Sequence, residues 1–276
     1  MIPLRKAPAD SNTNFLKKFK SDTKSEPLKM ITVSPSHSHQ CSSNTLVEDK
    51  NDDSSTKVNL MLVNFEWKII TDVDLNLKYA RIFSNTTSKC ILNRLENEVE
   101  YFSGELTRIC VYGKRYEIPR KQVSFGDEGL SYKFSGTCLP SKPWETCPIV
   151  MDLKECVESI TGESFNFVLL NRYKDGTEHM GEHRDDEKEL VPKAPIASLS
   201  FGQIREFIFK HKDARGKNSK ANISRKTMDL ESGSLLLMEY PTNKFWYHSL
   251  PIRKKALGVR VNLTFRKMVC VNKKNS

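Results

Sequence analysis

The chain has 276 residues, 38% of them hydrophobic, and a formal net charge of +10 from 44 Lys and Arg against 34 Asp and Glu. That length allows one ordinary to large domain with a real core or at most two small ones, and the positive balance favours polyanionic partners, nucleic acid first, over acidic ones. The apolar runs NLMLV (59–63) and FVLL (167–170) are too short to cross a bilayer, MIPLRKAPAD lacks the apolar core of a signal peptide, and seven scattered cysteines with no C-x-x-C pair argue against a disulfide framework or a zinc knuckle.

These features predict a soluble, intracellular protein with reduced thiols and no membrane partner. Residues 1–57 are rich in Ser, Thr, Asn, Lys and Asp and poor in aromatics, so they predict a disordered tail that cannot bury enough apolar surface to offset the entropy of ordering. Within it NFLKKFK offers Phe15, Leu16 and Phe19 as anchors of a docking segment, for instance for a replication factor; a solvated, partly helical tail without a partner is the other reading. The pair His37 and His39 sits where nothing would hold a metal geometry.

A single folded domain is predicted over 58–272. In TSKCILNRLENEVEYFSG, Ile91, Leu92, Leu95, Val99 and Phe102 recur at helical spacing and Gly104 offers a C-terminal cap, which predicts an amphipathic helix. A second is predicted over 148–161, with Ile149, Val150, Leu153, Val157 and Ile160 on one side and Gly162 after it. Strands are predicted at 108–112, 165–173, 195–201, 205–211, 233–239, 246–250 and 260–266, with a long basic hairpin loop at 210–226. No β-α alternation suggests a parallel sheet, so the expected class is mainly β with flanking helices, an antiparallel sandwich or barrel.

The chemistry-bearing residues are His183 and Asp185 in GEHRDD and His248 in WYHSL. Two imidazoles and a carboxylate can form a facial triad that leaves half of an octahedral iron site open. Residues i and i+2 of an extended segment point the same way, so His183 and Asp185 can share one ion. In RVNLTFR the residues Arg260, Asn262, Thr264 and Arg266 project to one face, and the two arginine backbones lie roughly 20 Å apart, a spacing at which their side chains can grip a small dicarboxylic acid. FNFVLLNRY places Asn171 and Tyr173 on one face with Phe165, Phe167 and Leu169, as in a core strand continued into a pocket.

Taken in order, NRYKDGTEHMGEHRDDEKEL, PIASLSFG, PTNKFWYHSLPIRKK and RVNLTFRK, with PRKQ and the segment around SYKFSG upstream, resemble the AlkB-type repair dioxygenases over roughly residues 79–268. The resemblance implies a double-stranded β-helix (jelly roll), with Fe(II) held by His183, Asp185 and His248. It also implies 2-oxoglutarate bound with help from Asn171, Tyr173, Arg260, Thr264 and Arg266. O2 is the second cosubstrate. The implied reaction is oxidative: 2-oxoglutarate becomes succinate, and a hydroxylated N-methyl group leaves the base as formaldehyde.

By the same resemblance the substrate is alkylated DNA, preferentially duplex, carrying 1-methyladenine, 3-methylcytosine or etheno adducts. The hairpin tip Tyr112, Gly113 and Lys114 then acts as the wedge that fills the gap left by a flipped base; relatives carry Phe where this chain has Tyr112. The base pocket involves Tyr132, Lys133, Phe134 and Ser135, with Asp186 and Glu187 suited to positively charged lesions. Arg120 and Lys121, the loop at 210–226 and Arg253, Lys254 and Lys255 are the expected phosphate contacts. A monomer acting in the nucleus is expected. Two other readings stay open: a 2-oxoglutarate dioxygenase acting on RNA or protein, and a non-catalytic nucleic-acid-binding jelly roll.

Overall fold

The computed structural model describes residues 60–111, 113–134, 137–214 and 222–269. The expected tail at 1–57, Tyr112, Ser135 and residues 215–221 of the basic loop lie outside them. The chain begins with β1 (Lys68–Asp72), β2 (Leu75–Arg81) and α1 (Asn85–Glu98). Two hairpins bracket a longer strand: β3 (Arg108–Val111) with β4 (Lys114–Glu117), then β5 (Lys121–Gly126), then β6 (Ser131–Phe134) with β7 (Thr137–Pro140). After α2 (Pro148–Thr161) come β8 (Phe167–Tyr173), β9 (Met180–His183), β10 (Ile196–Gly202), β11 (Arg205–His211), β12 (Lys226–Leu230) and β13 (Ser234–Met238). A single turn, α3 (Thr242–Phe245), leads into β14 (Trp246–Leu250), and β15 (Arg260–Arg266) follows.

The strands form a seven-stranded sheet in the order β1-β2-β13-β10-β15-β8-β5 and a four-stranded sheet in the order β12-β11-β14-β9. Every pairing within both sheets is antiparallel, so the two-sheet jelly roll replaces any doubly wound arrangement. Period-two alternation divides the large sheet. On one face Val168, Leu170, Ala197, Leu199, Phe201, Val261, Leu263 and Phe265 pack against α1 and α2 through Ile91, Leu95, Ile149, Val150, Leu153 and Val157. On the other, Leu75, Leu77, Ile196, Leu236 and Met238 meet Phe209, Leu230 and Trp246 of the small sheet. Beyond that apolar contact the inner face turns polar, and the space between the sheets opens into a cavity.

The helices follow their local signals to different degrees. Helix α2 ends at Gly162, whose φ of 71° suits a residue without Cβ and whose N–H donates to the Glu158 carbonyl at 2.9 Å. Helix α1 starts at a Ser84 cap, with Ser84 Oγ accepting from the Thr87 N–H at 3.0 Å, and ends at Glu98 rather than at Gly104. Val99 is extended, and the Phe102 N–H donates to the Gln122 carbonyl at 3.0 Å, so pairing with β5 captures the residues that the helical periodicity would have kept.

Phe165 also departs from expectation. The strand begins at Phe167, and Phe165 packs in the helix-side core against Phe265 rather than sharing a face with Phe167. The basic loop returns through β12, which pairs with β11, and not directly through the strand at 234–238. Neither hairpin pairs with a sheet: β3 pairs with β4 and β6 with β7. The β6-β7 hairpin rests on β8 through Leu130, Tyr132, Leu139, Phe167 and Leu169, and Thr137 Oγ1 donates to the Arg108 carbonyl at 2.6 Å, tying the two hairpins together.

Gly233, at φ 78°, closes the turn before β13: its N–H donates to the Ser200 carbonyl at 2.7 Å and its carbonyl accepts from Ile82 at 2.9 Å. A Cβ there would lie 2.2 Å from Ser88 Oγ and 3.0 Å from Phe83 Cβ. Gly233→Ala is therefore expected to lower unfolding free energy by about 2 kcal/mol, combining left-handed strain with the clash; urea denaturation with an unchanged m-value is the check, and a midpoint equal to wild type would refute it.

Candidate active site

His183 is the last residue of β9 and His248 the middle of β14, and the ladder sets them directly opposite each other. Their rings lie 4.4 Å apart, centroid to centroid. Asp185 follows two residues beyond β9, and its Oδ1 lies 3.6 Å from His183 Nε2 and 3.8 Å from His248 Nε2. One donor atom from each of the three lies within 4.8 Å of the others. The Nδ1–H of His183 donates to the Gly181 carbonyl at 3.0 Å, which orients the ring with Nε2 toward Asp185.

Asp185 is 3% exposed, and its two oxygens have different partners. Oδ2 accepts from Arg266 Nε at 3.0 Å and Nη2 at 2.7 Å, whereas Oδ1 is buried without a hydrogen bond. Burial alone would raise this carboxyl, but Arg266, His248 and His183 outweigh it and hold it at about 2. Burial pushes His248 down to about 3, helped by His183, so its imidazole is neutral. An orphaned carboxylate oxygen facing two imidazole nitrogens is a donor set that a divalent metal satisfies, and the mixture of two nitrogens with one oxygen fits Fe(II).

The triad opens on a cavity of about 580 Å³ between the sheets. Arg260, Asn262, Thr264 and Arg266 all line it from β15, Leu169, Asn171 and Tyr173 from β8, and Phe207, His248 and Leu250 from the small sheet. The two arginines do different work. Arg266 is neutralised by Asp185. Arg260 is 2% exposed, donates through Nη2 to Ser200 Oγ at 3.0 Å, leaves Nε without a partner, and has no carboxylate beside it among the described residues. Burial, with Arg205 nearby, lowers it to about 10, which still leaves it cationic at neutral pH. Both arginines of the expected grip line the cavity: Arg266 is held by Asp185 through Nε and Nη2, and Arg260 is the buried cation without a carboxylate beside it among the described residues. A small anion is the ligand that completes it.

The remaining site residues fall into three groups. Asn171 Oδ1 accepts from Arg120 Nε at 2.8 Å, so the half-buried Arg120 forms part of the cavity wall. Thr264 Oγ1 donates to Asn262 Oδ1 at 3.1 Å and belongs to a buried polar ladder with Ser198 and Ser200. Tyr173 is buried with the guanidinium carbons of Arg260 and Arg205 at 5.5 and 5.9 Å from its ring.

At the opposite end, Tyr132 is buried, its hydroxyl donates to Glu187, and its ring lies 5.3 Å from Arg266. Burial raises the Glu187 carboxyl against the pull of Arg266, and the charge of Asp185 adds to the rise. Asp186 and Lys133 are exposed at the rim. Gly113 and Lys114 form the exposed side of the β3-β4 tip, Gly113 at φ 75°, and Lys121 is exposed at the start of β5. Tyr112, Ser135 and the side chain of Phe134 lie outside the described residues.

Four contributors carry too little local signal to stand out in the sequence. Arg205, 2% exposed, donates to the carbonyls of Asp175 at 3.1 Å, Glu178 at 3.0 Å and Pro251 at 2.8 Å, stapling the loop after Tyr173 to the end of β14. Phe207 stacks on His248 at 5.4 Å. Ser198 and Ser200 face the cavity, and the alternation of small polar and apolar residues in IASLSFG is the one signal that could have marked them.

The comparisons agree with this geometry. Residues 77–266 match the 2OG-Fe(II) oxygenase superfamily. The chain is 51% identical over 207 residues to the human DNA oxidative demethylase ALKBH2, covering 75% of this chain and 78% of that protein. It is 50% identical over 208 residues to the mouse protein of the same name, covering 75% and 86%. Human alpha-ketoglutarate-dependent dioxygenase alkB homolog 3 matches at 36% over 153 residues, 55% of this chain and 52% of that one.

Because Arg260 is a buried charge without an anionic partner, Arg260→Met is expected to leave the melting temperature of the ligand-free protein unchanged or higher. The same change should abolish the thermal stabilisation that 2-oxoglutarate with Mn(II) gives the wild type. Differential scanning fluorimetry reads both, and a variant that keeps the full ligand-induced shift would overturn the assignment of Arg260 to the anion.

Proposed function

The chain belongs to the 2OG-Fe(II) oxygenase superfamily, in the family of the DNA oxidative demethylases named ALKBH2, and we propose that it removes alkyl groups from bases of DNA by oxidation. The observation that carries this reading is one cavity in which His183, Asp185 and His248 converge while the uncompensated Arg260 waits at the far end of the same strand face. Iron(II) and 2-oxoglutarate bound there, with O2, supply the oxidation: 2-oxoglutarate becomes succinate and carbon dioxide, and one oxygen atom goes to the N-alkyl carbon, which leaves the base as formaldehyde.

The protein's own residues hold and orient. His248 presents a neutral nitrogen, His183 turns its Nε2 to the same point, and Arg266 keeps Oδ2 of Asp185 occupied so that Oδ1 is the oxygen offered to the metal. Arg260, with Ser200 and Tyr173, receives a carboxylate of the cosubstrate, and Asn171 and Thr264 complete the wall of that end. Tyr132, Asp186 and Glu187 line the other end, where an aromatic ring beside carboxylates favours a base carrying positive charge, as 1-methyladenine and 3-methylcytosine do.

The β3-β4 hairpin supports a preference for duplex DNA, since the sequence puts Tyr112 between these two strands and an aromatic ring can fill the gap that a flipped base leaves. The exposed Lys114, Lys121, Lys254 and Lys255 suit phosphates. A monomer in the nucleus, docked to a replication factor through Phe15, Leu16 and Phe19, is the arrangement in which such an enzyme would meet its substrate.

The test is mass spectrometry of matched duplex and single-stranded oligonucleotides carrying 1-methyladenine or 3-methylcytosine, incubated with the full chain, Fe(II), 2-oxoglutarate and ascorbate. Loss of 14 Da (a methylene unit) from the duplex is expected, absent in His183→Ala and reduced about 10-fold or more on duplex alone in Tyr112→Ala. Loss from single strands only would sink the duplex preference, and no loss from either would overturn the proposal.

A further inference from the structure

Strand β9 pairs with β14 at His183 and His248 and at Met180 and Leu250, with an irregular register between. Past His183 the chain leaves this ladder, so the backbone of Asp185, a residue 3% exposed, has no strand partner. Both of its peptide groups are nevertheless satisfied, and by one side chain. Asn243 Oδ1 accepts from the Asp185 N–H at 3.1 Å, and Asn243 Nδ2 donates to the Asp185 carbonyl at 2.5 Å. A carboxamide offers the same donor and acceptor as a peptide unit, so Asn243 supplies the ladder step that the strand lacks.

The clamp is itself fixed. Asn243 sits in α3, whose first residue Thr242 is fully buried and exchanges hydrogen bonds with Asn76: Thr242 Oγ1 accepts from the Asn76 N–H at 2.8 Å and donates to its carbonyl at 2.9 Å. Arg184 docks the same segment from the other side, donating to the Lys244 carbonyl at 2.6 Å with its guanidinium carbon 4.8 Å from the Tyr247 ring. The stretch from Asn243 to His248 thus provides one member of the triad and holds the backbone that carries another.

We infer that Asn243 is a positioning residue for the metal: its carboxamide sets the Asp185 backbone so that Oδ1 faces His183 and His248. Arg266 fixes the carboxylate from the side-chain end and Asn243 from the main-chain end, so the acid has two independent restraints. The inference rests on the reading of His183, Asp185 and His248 as a metal site. It concerns affinity and geometry at that site, not contact with substrate.

The experiment is titration of the metal-free full chain with Co(II), followed by visible absorption, and with Mn(II), followed by calorimetry, for wild type, Asn243→Ala and Asn243→Asp. Asn243→Asp keeps an acceptor for the N–H but places an oxygen against the carbonyl. Both variants are expected to bind about 10-fold to 100-fold more weakly and to shift the Co(II) bands while the metal-free protein, somewhat destabilised by the unpaired peptide groups of Asp185, stays folded at the assay temperature. The Fe(II) concentration for half-maximal activity should rise by the same factor while the rate at saturating Fe(II) stays within about 3-fold. Wild-type affinity and spectrum in either folded variant would overturn the role of Asn243, as would a loss that tracks melting temperature alone. Absence of metal binding in the wild type would instead overturn the metal site itself.

Discussion

Strand β15 has to meet two opposite demands along seven residues, and the rest of the molecule is arranged around that constraint. Val261, Leu263 and Phe265 must be dry, and the helices α1 and α2 make them so. Arg260, Asn262, Thr264 and Arg266 face the other way and are nearly as buried, which is costly for polar groups and severe for two guanidinium ions. Each has to find its complement on the facing elements. Ser198 and Ser200 answer Asn262 and Arg260 from the neighbouring strand, and Asp185 answers Arg266 across the gap between the sheets. The small sheet therefore does more than cover the large one; it brings the anion that makes one of the two arginines tolerable.

That division gives the cavity a polarity. The end near Arg260 and Arg205 carries two buried cations whose hydrogen bonds among the described residues go to a hydroxyl and to backbone carbonyls, whereas the end near Tyr132 carries Asp186 and Glu187. A dicarboxylate and a cationic base are thus drawn to opposite ends, with the triad between them. This arrangement contributes little to stability: a buried guanidinium without an anion costs desolvation that an apolar residue would not, and a bound carboxylate offsets it.

Legibility in the sequence follows the range of the interactions. Helix α2 announces itself because its apolar spacing and its terminating Gly162 are local, and β15 because strict alternation is local too. Helix α1 misleads beyond Glu98 because Val99 and Phe102 continue the helical period while β5 claims them for another purpose. The strands β1, β6, β7, β9 and β12 escape a pattern reading, being short and lying at sheet edges or in a hairpin where residues such as Lys, Glu and Asp interrupt the alternation. Strand β2 lies inside the large sheet and β5 is buried after Lys121, and there Lys78, Gln122 and Ser124 break the apolar pattern. At the site, ligand types stand out because His is scarce, 6 in the chain, and His183 sits two residues before an Asp. Asn243 and Arg205 do not, since their partners are carbonyls and amides that any residue supplies, 58 positions away for Asn243 and Asp185.

The two hairpins stand apart from both ladders, joined to each other through Thr137 and Arg108 and to the body mainly through a small apolar cluster. Their tips can lengthen, shorten or exchange residues without shifting the register of any strand that carries the triad. Such a molecule is free to drift in what it grips while conserving how it oxidises.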